Sequence, residues 1–364
     1  MSRLVPCGIA GVILSSFLML GTTTTLGAQS ITGQVVDAET GADLAGALIS
    51  AADPATGIIA ARAISSGSGR FRIVVARTGA WRLTVAAIGY SPVRMAVTMA
   101  DSVVAVPQIR LARHAFRLPE IVAAASGSTC RPDTAGAPVL DRLIREAETA
   151  LGLVQATIDS RRLEFATETW NRRSFVGSAD TLRGKDVARG RASWPIASAD
   201  PGQLQREGFV HDPGEERTPD GFRDDAGPVY YGPDAGVLFS PWFLASHCFA
   251  VAGGSAGSLR ISFAPRGIAR RADVEGELVI DPATSSLTAI VFRYVGLPGW
   301  VPAGSAGGEV TFKRLDDGLW IVSSWKMRAP IRLENGSPRP ARVPRFVLGG
   351  WAEVGGMVTE VVEH

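Results

Sequence analysis

The chain has 364 residues, 37 of them Lys or Arg against 35 Asp or Glu, for a formal charge of +2, and 46% of its residues are hydrophobic. Such a balance presents no basic surface for nucleic acid, and the length suffices for two domains, each with its own core. Only Lys185, Lys313 and Lys326 are lysines, so the Arg bias reflects genome composition rather than a phosphate-binding face.

Residues 1–28 read as a secretory signal. Arg3 supplies positive charge, Gly8 to Leu20 is apolar, and Leu26-Gly27-Ala28 offers a small residue for cleavage before Gln29. The apolar run is shorter than the roughly 20 residues a membrane span needs, and Thr22 to Thr25 interrupt it, so no transmembrane span is expected after removal. Cleavage takes away one Arg and no acidic residue, lowering the charge from +2 to +1. Cys7 precedes the apolar core, which argues against a lipid anchor there.

From Ile31 short apolar runs alternate with turns. Predicted strands are Ile31 to Asp37, Ala45 to Ala51, Ile58 to Ser65, Arg70 to Val75, Ala80 to Ala87, Val93 to Thr98 and Val103 to Leu111. Their short, regular spacing suits a two-sheet antiparallel sandwich. Gly41 and Gly69 stand where tight turns need positive φ.

Four elements carry a resemblance: G-x-V-V-D-x-x-T-G at Gly33 to Gly41, A-G-A-x-I at Ala45 to Ile49, G-R-F at Gly69 to Phe71, and A-I-G-Y at Ala87 to Tyr90. Together they resemble the carboxypeptidase regulatory-like domain, over about 80 residues. The resemblance implies a Greek-key, prealbumin-like sandwich, a fold with carbohydrate-binding-like relatives. It also implies an exported protein, since such modules occur in secreted bacterial proteins, at the entrance of outer-membrane receptors and beside zinc carboxypeptidases. Ser66-Gly67-Ser68 stands before Gly69 where the family often has an acidic residue, and Ala45-Gly46-Ala47 replaces a proline-rich approach, so no cation or ligand role transfers. A zinc carboxypeptidase needs an H-x-x-E pair and a distant His. None of His114, His211, His247 and His364 has Glu three positions on. The regulatory name therefore implies no activity, and neither metal nor cofactor is expected.

Residues 29–112 thus form the predicted sandwich, 113–132 an edge strand and linker, and 133–364 a second domain of α+β type. In the latter, Pro138 to Ile158 is a predicted helix. Val139, Leu140, Leu143, Ile144, Ala147, Leu151 and Val154 lie on one stripe, with Arg142, Arg145, Glu146 and Glu148 opposite. Pro138 suits the first turn. The polar Gly177 to Asp225 stretch reads as a surface loop, because Pro219-Asp220-Gly221 and Asp224-Asp225 lack the alternate oxygen ligands of a calcium loop.

Beyond it come strand-like runs. Glu277 to Ile280 pairs with Leu287 to Tyr294, and Glu309 to Arg314 pairs with Trp320 to Arg328 around Asp317-Gly318. Arg345 to Val354 and Met357 to Val362 finish the chain. A long helix before successive hairpins predicts a curved antiparallel sheet closing on the helix, and a mainly β protein overall. The Gly276 to Leu287 hairpin makes this layout similar to the lipoprotein-carrier fold, which implies an apolar ligand held between helix and sheet. The C-terminal half, including Gly318 to Trp325, also resembles secreted bacterial proteins with the same regulatory-like module in front; that family brings no established activity.

Two cysteines outlast cleavage, Cys130 and Cys248, and in an oxidising compartment a lone pair predicts a disulfide. Closing a loop of about 118 residues, it would contribute up to roughly 4 to 5 kcal/mol. Within Val229 to Phe249, Ser240-Pro241 predicts a short capped helix. Here Tyr230, Tyr231, Asp234, Trp242 and His247 are candidates for a ligand pocket, or for an aromatic plug over one end of the sheet. The function expected is that of an exported, non-enzymatic binding or scaffold protein, periplasmic or secreted. Its expected partner is an envelope protein, a glycan or an apolar ligand. The alternatives are a hydrolase centred on His211 and His247, and an outer-membrane receptor accessory or lipid carrier.

Overall fold

The computed structural model describes residues 29–113, 137–178, 181–212, 228–253, 258–281, 283–334 and 346–363. The expected signal, most of the linker and Cys130 lie outside the described residues.

Eight strands build the first unit: β1 (Gln29–Asp37), β2 (Leu48–Ala52), β3 (Ile59–Ile64), β4 (Arg70–Val75), β5 (Gly79–Ala86), β6 (Val93–Met99), β7 (Val103–Ala105) and β8 (Ile109–Leu111). One sheet runs β4-β1-β7 with β8 also on β1; the other runs β3-β2-β5-β6. Strict alternation drives the packing. Phe71, Ile73 and Val75 of β4 point inward while Arg70, Arg72 and Val74 face water, and the inward set joins Ile31, Ile49, Trp81, Leu83 and Val85 in one core. The predicted Val103 to Leu111 strand is broken in two, both halves parallel to β1. Pro107 falls in the break, where it lacks the N–H a ladder needs. Gly41 and Gly69 have φ of 70° and 67°.

Asp37 and Tyr90, from two of the motifs, meet. Oδ1 of the buried Asp37 accepts the backbone N–H of Glu39 and of Thr40, each at 2.9 Å, and Oδ2 accepts the Tyr90 hydroxyl at 2.9 Å and Arg113 Nε at 2.6 Å. These donors, the Thr40 N–H and Arg113 foremost, hold the carboxyl far below the usual range.

The second unit starts with α1 (Ala137–Ser160) and continues with β9 (Leu163–Phe175), β10 (Thr181–Arg191), α2 (Pro201–Glu207), β11 (Val210–His211), β12 (Val229–Tyr230), α3 (Ala235–Leu238) and α4 (Pro241–Ser246). Then come β13 (His247–Gly253), β14 (Leu259–Pro265), β15 (Asp273–Asp281), β16 (Ser286–Val295), β17 (Gly307–Arg314), β18 (Trp320–Glu334) and β19 (Phe346–Glu363). Nine of these strands form one antiparallel sheet, β10-β9-β19-β18-β17-β16-β15-β14-β13, in which the last strand of the chain returns beside β9.

Two expectations change. The stretch read as a surface loop supplies β10, α2 and β11, with 213–227 outside the described residues. As an edge strand mostly exposed on both faces, β10 has no apolar alternation to announce it. The two predicted C-terminal strands are one strand, β19, because Gly355 and Gly356 stay in the ladder opposite Trp170 and Thr169.

Along α1, Leu143, Ala147, Leu151 and Val154 pack against Leu278, Ile290 and Val310 of the sheet. Yet Ala150, Leu153, Ala156 and the expected polar Glu146 are buried too. The sandwich covers this second flank. Leu48 of β2 joins the helix–sheet core, and Gly152 lets it approach, since a Cβ there would stand 2.6 Å from Leu48 Cδ2. Glu146 accepts the N–H of Gly89 at 3.1 Å, and its carboxyl, pushed up by burial to about 7, is partly held back by that bond and by Arg142 and Arg145.

Candidate functional site

The Val229 to Phe249 segment becomes β12, α3, α4 and the start of β13. Asp234 caps α3 by accepting the Val237 N–H at 2.9 Å, and Ser240 caps α4 by accepting that of Phe243 at 3.1 Å, with Pro241 in the first turn. His247 is fully buried, its ring 3.6 Å from that of Phe243 and nearly parallel to it. Its Nδ1 lies 3.0 Å from Ser246 Oγ, and its Nε2 lies 3.2 Å from both the Val274 carbonyl and Asp273 Oδ1. Trp242 stacks on Phe209 at 6.4 Å and meets His247 edge-on. Tyr230 packs edge-on against Tyr294 at 5.4 Å, and burial pushes its phenol up to about 12. The Tyr294 hydroxyl donates to the Tyr231 carbonyl at 2.8 Å. Trp242 and His247 therefore share one aromatic cluster, while Tyr230 packs on Tyr294, Tyr231 offers Tyr294 its carbonyl and Asp234 acts as a cap. His211, in β11, lies 3.6 Å from Glu207 at the end of α2, four residues earlier. Cys248 is the second residue of β13.

A larger concavity lies elsewhere. On the face of the nine-stranded sheet turned away from α1, a trough of about 790 Å³ spans β9 to β14. Trp170 and Val291 contribute apolar surface, and charges in alternate register flank them. Glu275 pairs with Arg293 at 2.6 Å, Glu277 with Arg260 at 2.7 Å and Glu309 with Lys326 at 2.6 Å, while Glu353 meets both Arg172 and Arg328. None of the five pocket candidates lines it. Its sequence signal was the acidic and basic residues at alternate positions of β15, β16, β17 and β18. Read as solvated strand faces, they name a site only once the register sets them side by side.

On the α1 side most of the helix–sheet interface is filled. A cleft of about 350 Å³ remains at the C-terminal end of the helix, lined by Val154, Ile158, Phe165, Trp194, Trp320 and Trp325 among others. The indole N–H of Trp194 is buried there with no hydrogen-bond partner among the described residues.

Residues 30–112 match the carboxypeptidase regulatory-like domain, so the sandwich is a module of that non-catalytic kind. No curated protein matches the chain. Among solved structures, the pilus 2b backbone protein of group B streptococcus is 18% identical over 24% of this chain and 41% of its own, with a TM-score of 0.21. A streptococcal ancillary pilin is 22% identical over 24% of this chain and 30% of its own, with a TM-score of 0.19. The type II cohesin-X-dockerin complex from Acetivibrio cellulolyticus is 14% identical over 23% of this chain and 56% of its matched chain, with a TM-score of 0.19. The chain thus spans less than two thirds of each structure it is compared with.

Proposed function

We propose that the chain is an exported, non-enzymatic binding protein of the cell envelope, whose ligand surface is the trough of the nine-stranded sheet and whose ligand is an extended glycan. The carrying observation is the composition of that trough. An indole lies beside carboxylates and guanidinium groups that are already paired, which leaves polar edges for sugar hydroxyls and an aromatic face for a sugar ring. Charges already matched in pairs suit a neutral, hydroxyl-rich ligand. The sandwich serves as the interaction module joined to this domain through α1, and a Cys130–Cys248 bridge ties the linker to β13. Mass spectrometry of the unreduced mature protein tests two parts of this reading at once: a start at Gln29 and no free thiol are expected.

The ligand is tested by titrating the purified protein with soluble hexasaccharides, neutral and N-acetylated, while following tryptophan fluorescence. Saturable quenching in the wild type, weakened at least about tenfold in Trp170→Ala, is expected from the loss of one aromatic stacking platform. No saturable change with any of these oligosaccharides rejects the glycan reading, and turnover of an added substrate lost in His247→Ala rejects the non-enzymatic one.

A second reading rests on the orphaned Trp194 N–H. An apolar ligand with one acceptor atom would fill the α1 cleft and satisfy that donor. Displacement of a lipophilic fluorescent probe by a fatty acid, absent in Trp194→Phe, is the expected result.

A further inference from the structure

A second concavity, of about 730 Å³, opens where the sandwich, α1 and the α3–α4 segment meet. Its floor is the outer face of the β3-β2-β5-β6 sheet. Arg62 pairs with Ser50, Ser50 with Thr84 and Thr84 with Arg94, so these four side chains form one row across four strands. Directly paired residues share a sheet face, and the row therefore sets two hydroxyls between two guanidinium groups. Arg82 stands in the neighbouring row, opposite Ala52. Arg145, Glu148 and Thr149 of α1 line the opposite wall, and Phe239 and Pro241 one end. Arg62, Arg94 and Arg145 all act on the Glu148 carboxylate. Among the described residues, four guanidinium groups thus line a cleft to which one carboxylate contributes negative charge, whereas those of the trough are matched pair by pair.

We propose that this cleft is a binding site for a small molecule bearing two or more oxyanion groups, of the phosphate-ester or polycarboxylate class. Guanidinium groups grip such groups bidentately, and the Ser50, Thr84 and Thr149 hydroxyls lie beside them to complete the shell. The volume admits a molecule of metabolite size, and the Phe239 end accepts an apolar part. Because α1 and the sandwich both contribute, a bound anion bridges the two units. The site is separate from the glycan surface and stands or falls without it.

The test is calorimetric titration of the full mature chain with inorganic pyrophosphate and with citrate at low ionic strength, against the same concentrations of chloride. Saturable binding of at least one is expected, with Arg62→Gln/Arg94→Gln weakening it at least tenfold. Arg62→Lys/Arg94→Lys, which keeps charge but not the planar fork, should fall between. Arg72→Gln, on the other sheet of the sandwich, should bind as the wild type does. Circular dichroism shows whether each variant is folded, and the lysine pair serves if the glutamine pair is not. Absence of saturable binding, or equal binding in wild type and both double variants, overturns the proposal. So does binding to anionic vesicles that neither soluble anion displaces.

Discussion

Trp170 of β9 lies over Gly355 of β19, so close that a Cβ added to the glycine would come within 2.5 Å of indole Cζ2. The next residue repeats the arrangement on the other face, where Trp325 of β18 covers Gly356. A bare glycine in one strand thus receives an aromatic ring from its neighbour, which seals the ladder and presents the indole to the trough. Gly355→Ala should push that ring away. Overpacking of this kind costs about 1–3 kcal/mol, read as a lower urea midpoint, and the tryptophan emission maximum should move as the ring is displaced. An unchanged midpoint and unchanged emission would show that the ring has room to spare.

Glu146 gives the helix–sandwich contact a pH dependence. Its carboxyl is raised from 4.5 to about 7 in the folded chain, burial being the main cause. A raised acid binds its proton more tightly in the folded state, so the stabilisation is complete below about pH 4.5, declines as pH rises towards 7, and is absent above that. In Glu146→Gln the amide oxygen still accepts the Gly89 N–H but carries no proton to lose. The wild type should therefore lose stability relative to this variant by up to about 1.4 kcal/mol per pH unit within that window. Parallel urea-stability curves from pH 5 to 8 would refute the assignment.

How much of this was legible in the sequence follows from how local each signal is. A strand such as Arg70 to Val75 was readable to the residue, because alternation and turn residues belong to the segment itself. Burial of Glu146 was not readable: it depends on the sandwich lying across the polar flank of α1, a long-range contact that periodicity within the helix does not encode. The same holds for one side of the trough, where Arg172 of β9 meets Glu353 of β19 across 181 residues of chain. The Gly355-Gly356 pair misled for a related reason. Locally it reads as a break, and only the indoles of Trp170 and Trp325 make it part of a strand.

Asp37 ties its own motif to that of Tyr90 through the tyrosine hydroxyl, and it predicts behaviour in acid. With its folded pKa held below the ordinary value, this carboxylate stabilises the sandwich at pH values above about 4, and that contribution is lost as pH falls through the folded value. Asp37→Asn should flatten the acid side of the stability profile. Tyr90→Phe, which removes one of the four donors and leaves Arg113 in place, should cost about 1 kcal/mol. Identical acid unfolding midpoints for wild type and Asp37→Asn would contradict the role given to this group.

His247 carries the last prediction, and the expected effect is on stability. The ring is completely buried, stacked on Phe243, and both nitrogens have neighbours within hydrogen-bond distance. Truncation to Ala opens a void beside Phe243 and Trp242 and takes a partner from Asp273 and from the Val274 carbonyl at the start of β15. Those losses together correspond to about 2–4 kcal/mol. His247→Phe retains the volume and the stack but not the polar contacts, so it should recover part of the loss. Urea denaturation of the two variants separates these contributions: equal losses would assign the whole effect to the nitrogens, and a loss below about 0.5 kcal/mol in His247→Ala would mean that the ring does not hold α4 to the sheet.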